Sequence, residues 1–218
     1  MDQVEKFFAR TDLMCFSSEG STVLIPFNVN PEEYIEYARS DFKENQNRGL
    51  INALSNAKRA LHCQLDVILY VFGLFEKSRR KNWNFPTKLE LINKLIPSAP
   101  KLLNKINRKR NLLEHDYIVP DKNEVEDFID IVELFQQATN RYYQKIVKRI
   151  EICTKADLDD DSTNPGDEHC WINWDPLKKK FEVNYVPKKG KMEIYNGNPD
   201  DKNFLKFCEF YSRAIHLY

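Results

Sequence analysis

The sequence predicts a mainly α fold, an antiparallel four-helix bundle with a small antiparallel β appendage, and three observations carry that expectation. Two long stretches repeat apolar residues at three-four spacing, two shorter stretches lie between them, and strict alternation appears only near the C-terminus. Short connections between amphipathic helices favour antiparallel packing of their stripes. At 218 residues, 42% hydrophobic and 30% charged, the chain is long and apolar enough for one substantial core with an addition.

Residues 1–46 read as a flank holding one strand and one helix. The run STVLIPF is a plausible strand from Thr22 to Phe27, and PEEYIEYARSDFKEN is helical, with Pro31 tolerated in the first turn. Residues 47–153 make the expected bundle. Ile51, Leu54, Leu61, Leu65, Ile68, Phe72 and Phe75 line one stripe, interrupted only by Lys58. SRRKNWNFP then turns the chain into a short helix at about Thr87 to Leu95, and a further helix from Ser98 to about Glu114 carries Ala99, Leu103, Ile106, Arg110 and Leu113. After YIVPDK, Asn123 and Glu126 have the spacing of a capping box, and Val125, Phe128, Val132, Phe135, Thr139, Tyr142 and Ile146 extend the last long helix to about Ile150.

Residues 154–170 are acidic, contain Pro-Gly and lack periodicity, which reads as a linker. Residues 171–218 form the appendage. Phe181, Val183 and Tyr185 alternate with polar residues, PKKG turns the chain, KMEIY resumes the alternation, and Phe204, Cys208, Tyr211 and Ile215 mark a terminal helix. A lone hairpin is only marginally stable, so the segment Thr22 to Phe27 is its natural third strand.

Charge and cysteine content narrow the function classes. Lys plus Arg equal Asp plus Glu at 33 each, so no global positive field holds nucleic acid and any such contact must be local. The first residues, MDQVEKFFARTDLMCF, lack the basic and apolar regions of a signal peptide, and the longest apolar run, VILYVFGLF, is too short for a bilayer. A cytoplasmic protein with no membrane partner is expected. The 5 cysteines are odd in number and never in a CxxC pair, and His169-Cys170 beside Cys153 lacks the spacing of common zinc sites. Neither a disulfide framework, a metal site nor a cofactor is expected.

The densest chemistry lies in RKRNLLEHDYIVP, from Arg108 to Pro120. One reading is a solvated helix end, with His115 near the negative pole and Arg110 paired to Glu114 four residues on. The other is a phosphate-handling site. Residues five apart on a helix differ by about 140°, so Arg110 and His115 converge only where the helix ends or bends, whereas Asn111 and His115 are neighbours in regular helix. An arginine forks two hydrogen bonds to phosphate, and a histidine titrating near neutrality exchanges a proton with an attacking or departing oxygen. Together they supply the minimum for metal-free RNA cleavage with the ribose 2′-hydroxyl as nucleophile.

Arg110, Asn111 and His115, within helices of these lengths, resemble the HEPN (higher eukaryotes and prokaryotes nucleotide-binding) family, whose hallmark is Arg, four to six residues, then His. His115-Asp116-Tyr117 completes the Arg-x4-His-x-Tyr form of HEPN toxins paired with nucleotidyltransferase antitoxins. The resemblance covers roughly residues 49–150. It implies a homodimeric, metal-independent endoribonuclease with an RNA substrate, acting in prokaryotic defence, abortive infection or a toxin–antitoxin pair. It equally admits a non-catalytic dimeric module that binds nucleotide, RNA or a partner protein.

Further residues are candidates for substrate binding. Arg108, Lys109, Glu114 and Tyr117 flank the motif, and each has an ordinary reading as a solvated or packed helix residue. On the first long helix Ser55, Arg59, His62 and Asp66 repeat at four-three-four spacing and form a polar stripe that either lines a cleft or faces water. Trp171, Trp174 and Lys178 to Lys180 could stack and hold single-stranded RNA, although packing of the tryptophans against a neighbouring layer is the favoured reading.

Overall fold

A computed structural model describes residues 1–21, 24–44, 46–96, 119–143, 146–157 and 166–217. The described elements are α1 (Asp2–Phe8), β1 (Leu13–Ser21), α2 (Pro31–Lys43), α3 (Asn47–Val71), α4 (Phe75–Arg80), α5 (Phe85–Leu95), α6 (Lys122–Asn140), β2 (Ile146–Thr154), a 3₁₀ turn (Lys155–Asp157), β3 (His169–Asp175), β4 (Lys180–Val186), β5 (Glu193–Gly197) and α7 (Phe204–Leu217). They divide into two compact units, one of Met1–Val23, Val71–Leu74 and Gln144–Tyr218, the other of Leu24–Tyr70 and Phe75–Tyr143. None of the described helices is long and apolar enough to cross a membrane.

The expected four-helix bundle with a small β appendage is overturned by the first unit, which is built on a five-stranded antiparallel sheet in the order β1-β2-β3-β4-β5. The hairpin strands β4 and β5 lie where alternation places them, but three more strands, β1, β2 and β3, come from segments not read as strands. The last long helix stops at Asn140 rather than near Ile150, and IVKRIEICT becomes β2. Its β-branched Ile146, Val147, Ile150 and Ile152 suit a pleated, half-buried surface better than a helix. The N-terminal strand is Leu13–Ser21, which pairs Leu13 with Thr154 and Ser18 with Ile150, whereas Leu24 to Phe27, the described part of the strand expected from Thr22 to Phe27, carry no strand.

Strand register decides which sheet face is buried. Ile150 pairs with Ile172, Ile172 with Val183 and Trp174 with Phe181, so one face is continuous and apolar. Helix α7 covers it with Phe204, Phe207, Cys208, Tyr211 and Ile215, all buried. Trp174 stacks on Phe181 at 4.2 Å, and the buried Tyr211 donates its hydroxyl to the Val147 carbonyl at 2.8 Å. Helix α1 extends this layer, with Phe8 stacked on Phe210 at 4.4 Å and Phe7 against Tyr185 at 5.4 Å. Packing, rather than RNA stacking, therefore occupies Trp174.

In the second unit, α2 begins with a reciprocal cap: Asn30 accepts from the Glu33 amide at 2.8 Å, and Glu33 accepts from the Asn30 amide at 2.8 Å. The N-cap of α6 is Asp121 rather than Asn123, accepting from the Asn123 amide at 2.9 Å. Val125, Phe128, Val132 and Phe135 are buried along α6, as are Leu54, Leu61, Leu65 and Ile68 along α3. Buried Gln64 of α3 donates to Thr139 Oγ1 of α6 at 2.6 Å, and buried Gln136 of α6 donates to the Pro31 carbonyl of α2 at 2.9 Å. Arg39 of α2 forks to Glu133 of α6 at 2.9 and 2.8 Å. These contacts fix α3 and α2 against α6.

Gly73 tests the packing of the first unit. Its φ of +70° favours glycine, and a Cβ there would stand 2.8 Å from Trp174 Cη2. Gly73→Ala should lower unfolding free energy by about 1–3 kcal/mol in urea titration, from overpacking and left-handed strain.

Candidate functional site

Helix α3 presents two faces because its sequence alternates two stripes. Leu54, Leu61, Leu65 and Ile68 are buried, while Ser55, Arg59 and His62 are exposed and Asp66 half-buried. Three members of that polar stripe, Arg59, His62 and Asp66, line a cleft of about 610 Å³ within the second unit. Lys58 and Cys63 complete its α3 wall. The opposite wall is the irregular segment Pro26 to Val29, with Tyr34 from α2.

The Pro26 to Val29 segment runs beside α3 in the opposite direction. Cys63 Sγ donates to the Val29 carbonyl at 3.6 Å, whereas the Phe27 ring lies 6.4 Å from Tyr70 and 5.3 Å from Phe75. Phe27 thus marks the end of the cleft nearer the C-terminus of α3. Helix α5 supports the stripe from beside it: the Phe85 ring stacks with His62 at 4.8 Å, and Lys88 Nζ holds Asp66 Oδ1 at 2.6 Å. The start of α5 is itself fixed by Asn84, which accepts from the Thr87 amide at 3.0 Å.

Electrostatically the cleft has polarity along α3. Lys58 and Arg59 stand at one end, and Asp66, its charge matched by Lys88, lies two turns on. Arg59 donates to the Asn56 amide oxygen at 3.3 Å and meets no carboxylate among the described residues. Burial pushes the Cys63 thiol up to about 12, with the charges of Asp66 and Glu32 adding to it, so this cysteine is a neutral wall and not a nucleophile near neutrality. Such an arrangement accepts an anionic group at the cationic end and a flat ring against the aromatic side chains.

Of the residues expected from the sequence to form a site, His62 and Asp66 come together here. Arg110, Asn111 and His115, with Arg108, Lys109, Glu114 and Tyr117, lie outside the described residues. Phe27, Asn28, Tyr34, Lys58 and Cys63 were not anticipated as lining residues. Only Lys58 carried a signal, as the one charge on the apolar stripe of its helix. In the other unit, Trp171 stands on the sheet face opposite Trp174, with the Arg149 guanidinium 5.5 Å from its ring and His169 stacked at 5.7 Å. Its neighbours thus already engage that ring.

Comparison with protein-family models, with curated proteins and with solved structures returns no match.

The raised Cys63 pKa has a defined sign. The folded protein favours the neutral thiol, so this contribution to stability is complete below the unfolded value of 9.0 and is lost as pH rises toward about 12. At pH 8, iodoacetamide should alkylate Cys63 about 1,000-fold more slowly in the folded chain than in urea, as peptide mapping would read, because only thiolate reacts and its fraction follows the shift from 9.0 to about 12.

Proposed function

We propose that the protein is a metal-independent endoribonuclease of HEPN type that binds RNA at the α3 cleft and cleaves it with Arg110, Asn111 and His115. The observation that supports this reading is the cleft itself, where a polar stripe of α3 meets two cations and two aromatic side chains, the combination that holds phosphate and base together. The ribose 2′-hydroxyl attacks the adjacent phosphorus and gives its proton to a base, the 5′-oxygen leaves with a proton, and a 2′,3′-cyclic phosphate remains. His115 handles the proton, Arg110 neutralises charge on the phosphoryl oxygens, and Asn111 orients one of them. Arg108, Lys109, Glu114 and Tyr117 flank the bound strand. From the resemblance come the homodimer, which pairs two motifs, and the setting, a prokaryotic defence or toxin–antitoxin system with a nucleotidyltransferase-type antitoxin.

A second reading is a non-catalytic dimeric module of the same family that binds a nucleotide, RNA or a partner protein. One feature favours it: the imidazole and carboxylate of the cleft are each engaged elsewhere, His62 on Phe85 and Asp66 on Lys88, which suits holding a ligand better than proton transfer.

RNA digestion followed by end-group analysis separates the two. Arg110→Ala and His115→Ala should each abolish cleavage, and the double variant should be little worse than either, because groups acting on one transition state do not contribute additively. Cleavage should survive EDTA and leave 2′,3′-cyclic phosphate ends. Wild-type cleavage by His115→Ala would overturn the ribonuclease reading.

A further inference from the structure

We propose that the α3 cleft is a guanine-selective nucleotide site, with phosphate at Lys58 and Arg59 and the guanine edge read by Asp66. The inference rests on the nucleic-acid reading of the cleft and adds to it the identity of the base. It stands on the order of groups along one rigid helix. Lys58 and Asp66 are eight residues apart, which on an α-helix is about 12 Å, comparable to the reach of a nucleotide from its phosphate to the far edge of its base. The cationic end therefore takes the anion. The end defined by Asp66 and Phe27 takes the ring.

Asp66 also decides which ring. Its Oδ1 accepts from Lys88 at 2.6 Å, and Oδ2 has no hydrogen-bond donor among the described residues. A carboxylate has acceptor positions only, so it selects an edge that offers donors. Guanine presents two neighbouring donors, the ring N1–H and the 2-amino group, matching two carboxylate oxygens. Adenine and cytosine each place a ring-nitrogen acceptor beside their amino group, and uracil flanks its single N–H with two carbonyls. Each of those edges sets a lone pair against a carboxylate oxygen, so the site rejects them by repulsion as well as by lost hydrogen bonds. Lys88 acts as a positioning residue, because it fixes the carboxylate without lining the cleft. A volume of about 610 Å³ accommodates a purine nucleotide, within the usual range for small-ligand pockets.

Calorimetric titration of the full chain with GMP, AMP, CMP, UMP and IMP tests this directly. GMP should bind about tenfold or more tighter than the other four, IMP included because it lacks only the 2-amino group. Asp66→Asn should bring GMP to within about twofold of AMP, while Arg59→Ala should weaken all nucleotides by a similar factor. Equal binding of GMP and IMP by the wild-type chain overturns the assignment even where Asp66→Asn fails to fold, as does the absence of GMP binding at millimolar concentration. Cleavage that depends on His115 without GMP binding removes the guanine site and leaves the ribonuclease reading, whereas GMP binding without any cleavage does the reverse.

Discussion

An ammonium on the burying stripe of a helix must reach water or an acceptor, and Lys58 places that constraint in the middle of α3. A charge cannot be packed against apolar side chains without a large desolvation cost. The helix is therefore covered by apolar neighbours at Leu54, Leu61 and Leu65 but opens at Lys58, where the cleft begins. Once α3 is open along that side, its polar residues at 59, 62 and 66 follow by helical geometry, each one turn from the next. The facing segment from Pro26 to Val29 has no regular structure. Its backbone is tied to the helix through the Val29 carbonyl instead, which receives the Cys63 thiol.

A binding site is as exact as the elements that hold it. On the covered side of α3, Gln64 lies between two cleft residues in sequence and is fully buried, donating to Thr139, whose hydroxyl in turn donates to the Phe135 carbonyl at 2.8 Å. This link locks the rotation of α3 about its own axis, because a turned helix would leave a buried amide without its acceptor. The register of Arg59, His62 and Asp66 in the cleft is thus set by a residue facing away from it. Lys88 and Phe85, both from the first turn of α5, supply the remaining constraint by fixing the Asp66 carboxylate and the His62 ring.

Helices were legible in the sequence where one periodic run sat between clear stop signals, as in α3 and α5, and α6 was legible at its start. The hairpin of β4 and β5 was legible because alternation and a turn occur together. β2 was not, for a specific reason: Tyr142 and Ile146 continue the three-four spacing of α6 by coincidence, and both are buried, Tyr142 beyond the helix end and Ile146 in the sheet. β1 escaped because its partner lies more than a hundred residues away, as the pairing of Leu13 with Thr154 shows. No local pattern encodes such a pairing, and LMCFSSEGS carries no β-branched residue to advertise a strand. The polar stripe of α3 was visible as spacing, but Phe27 and Tyr34 reach the cleft from other parts of the chain.

The same cleft fixes its imidazole and its carboxylate from a second helix. Asp66 and His62 are one turn apart, close enough in principle to form an acid–base couple, yet each is turned to a neighbour on α5. A carboxylate held by an ammonium at 2.6 Å is fixed in place, and an imidazole stacked on Phe85 is oriented by its ring face. Cys63 between them is kept as a neutral thiol by burial. The described groups of the cleft therefore supply fixed charge and shape.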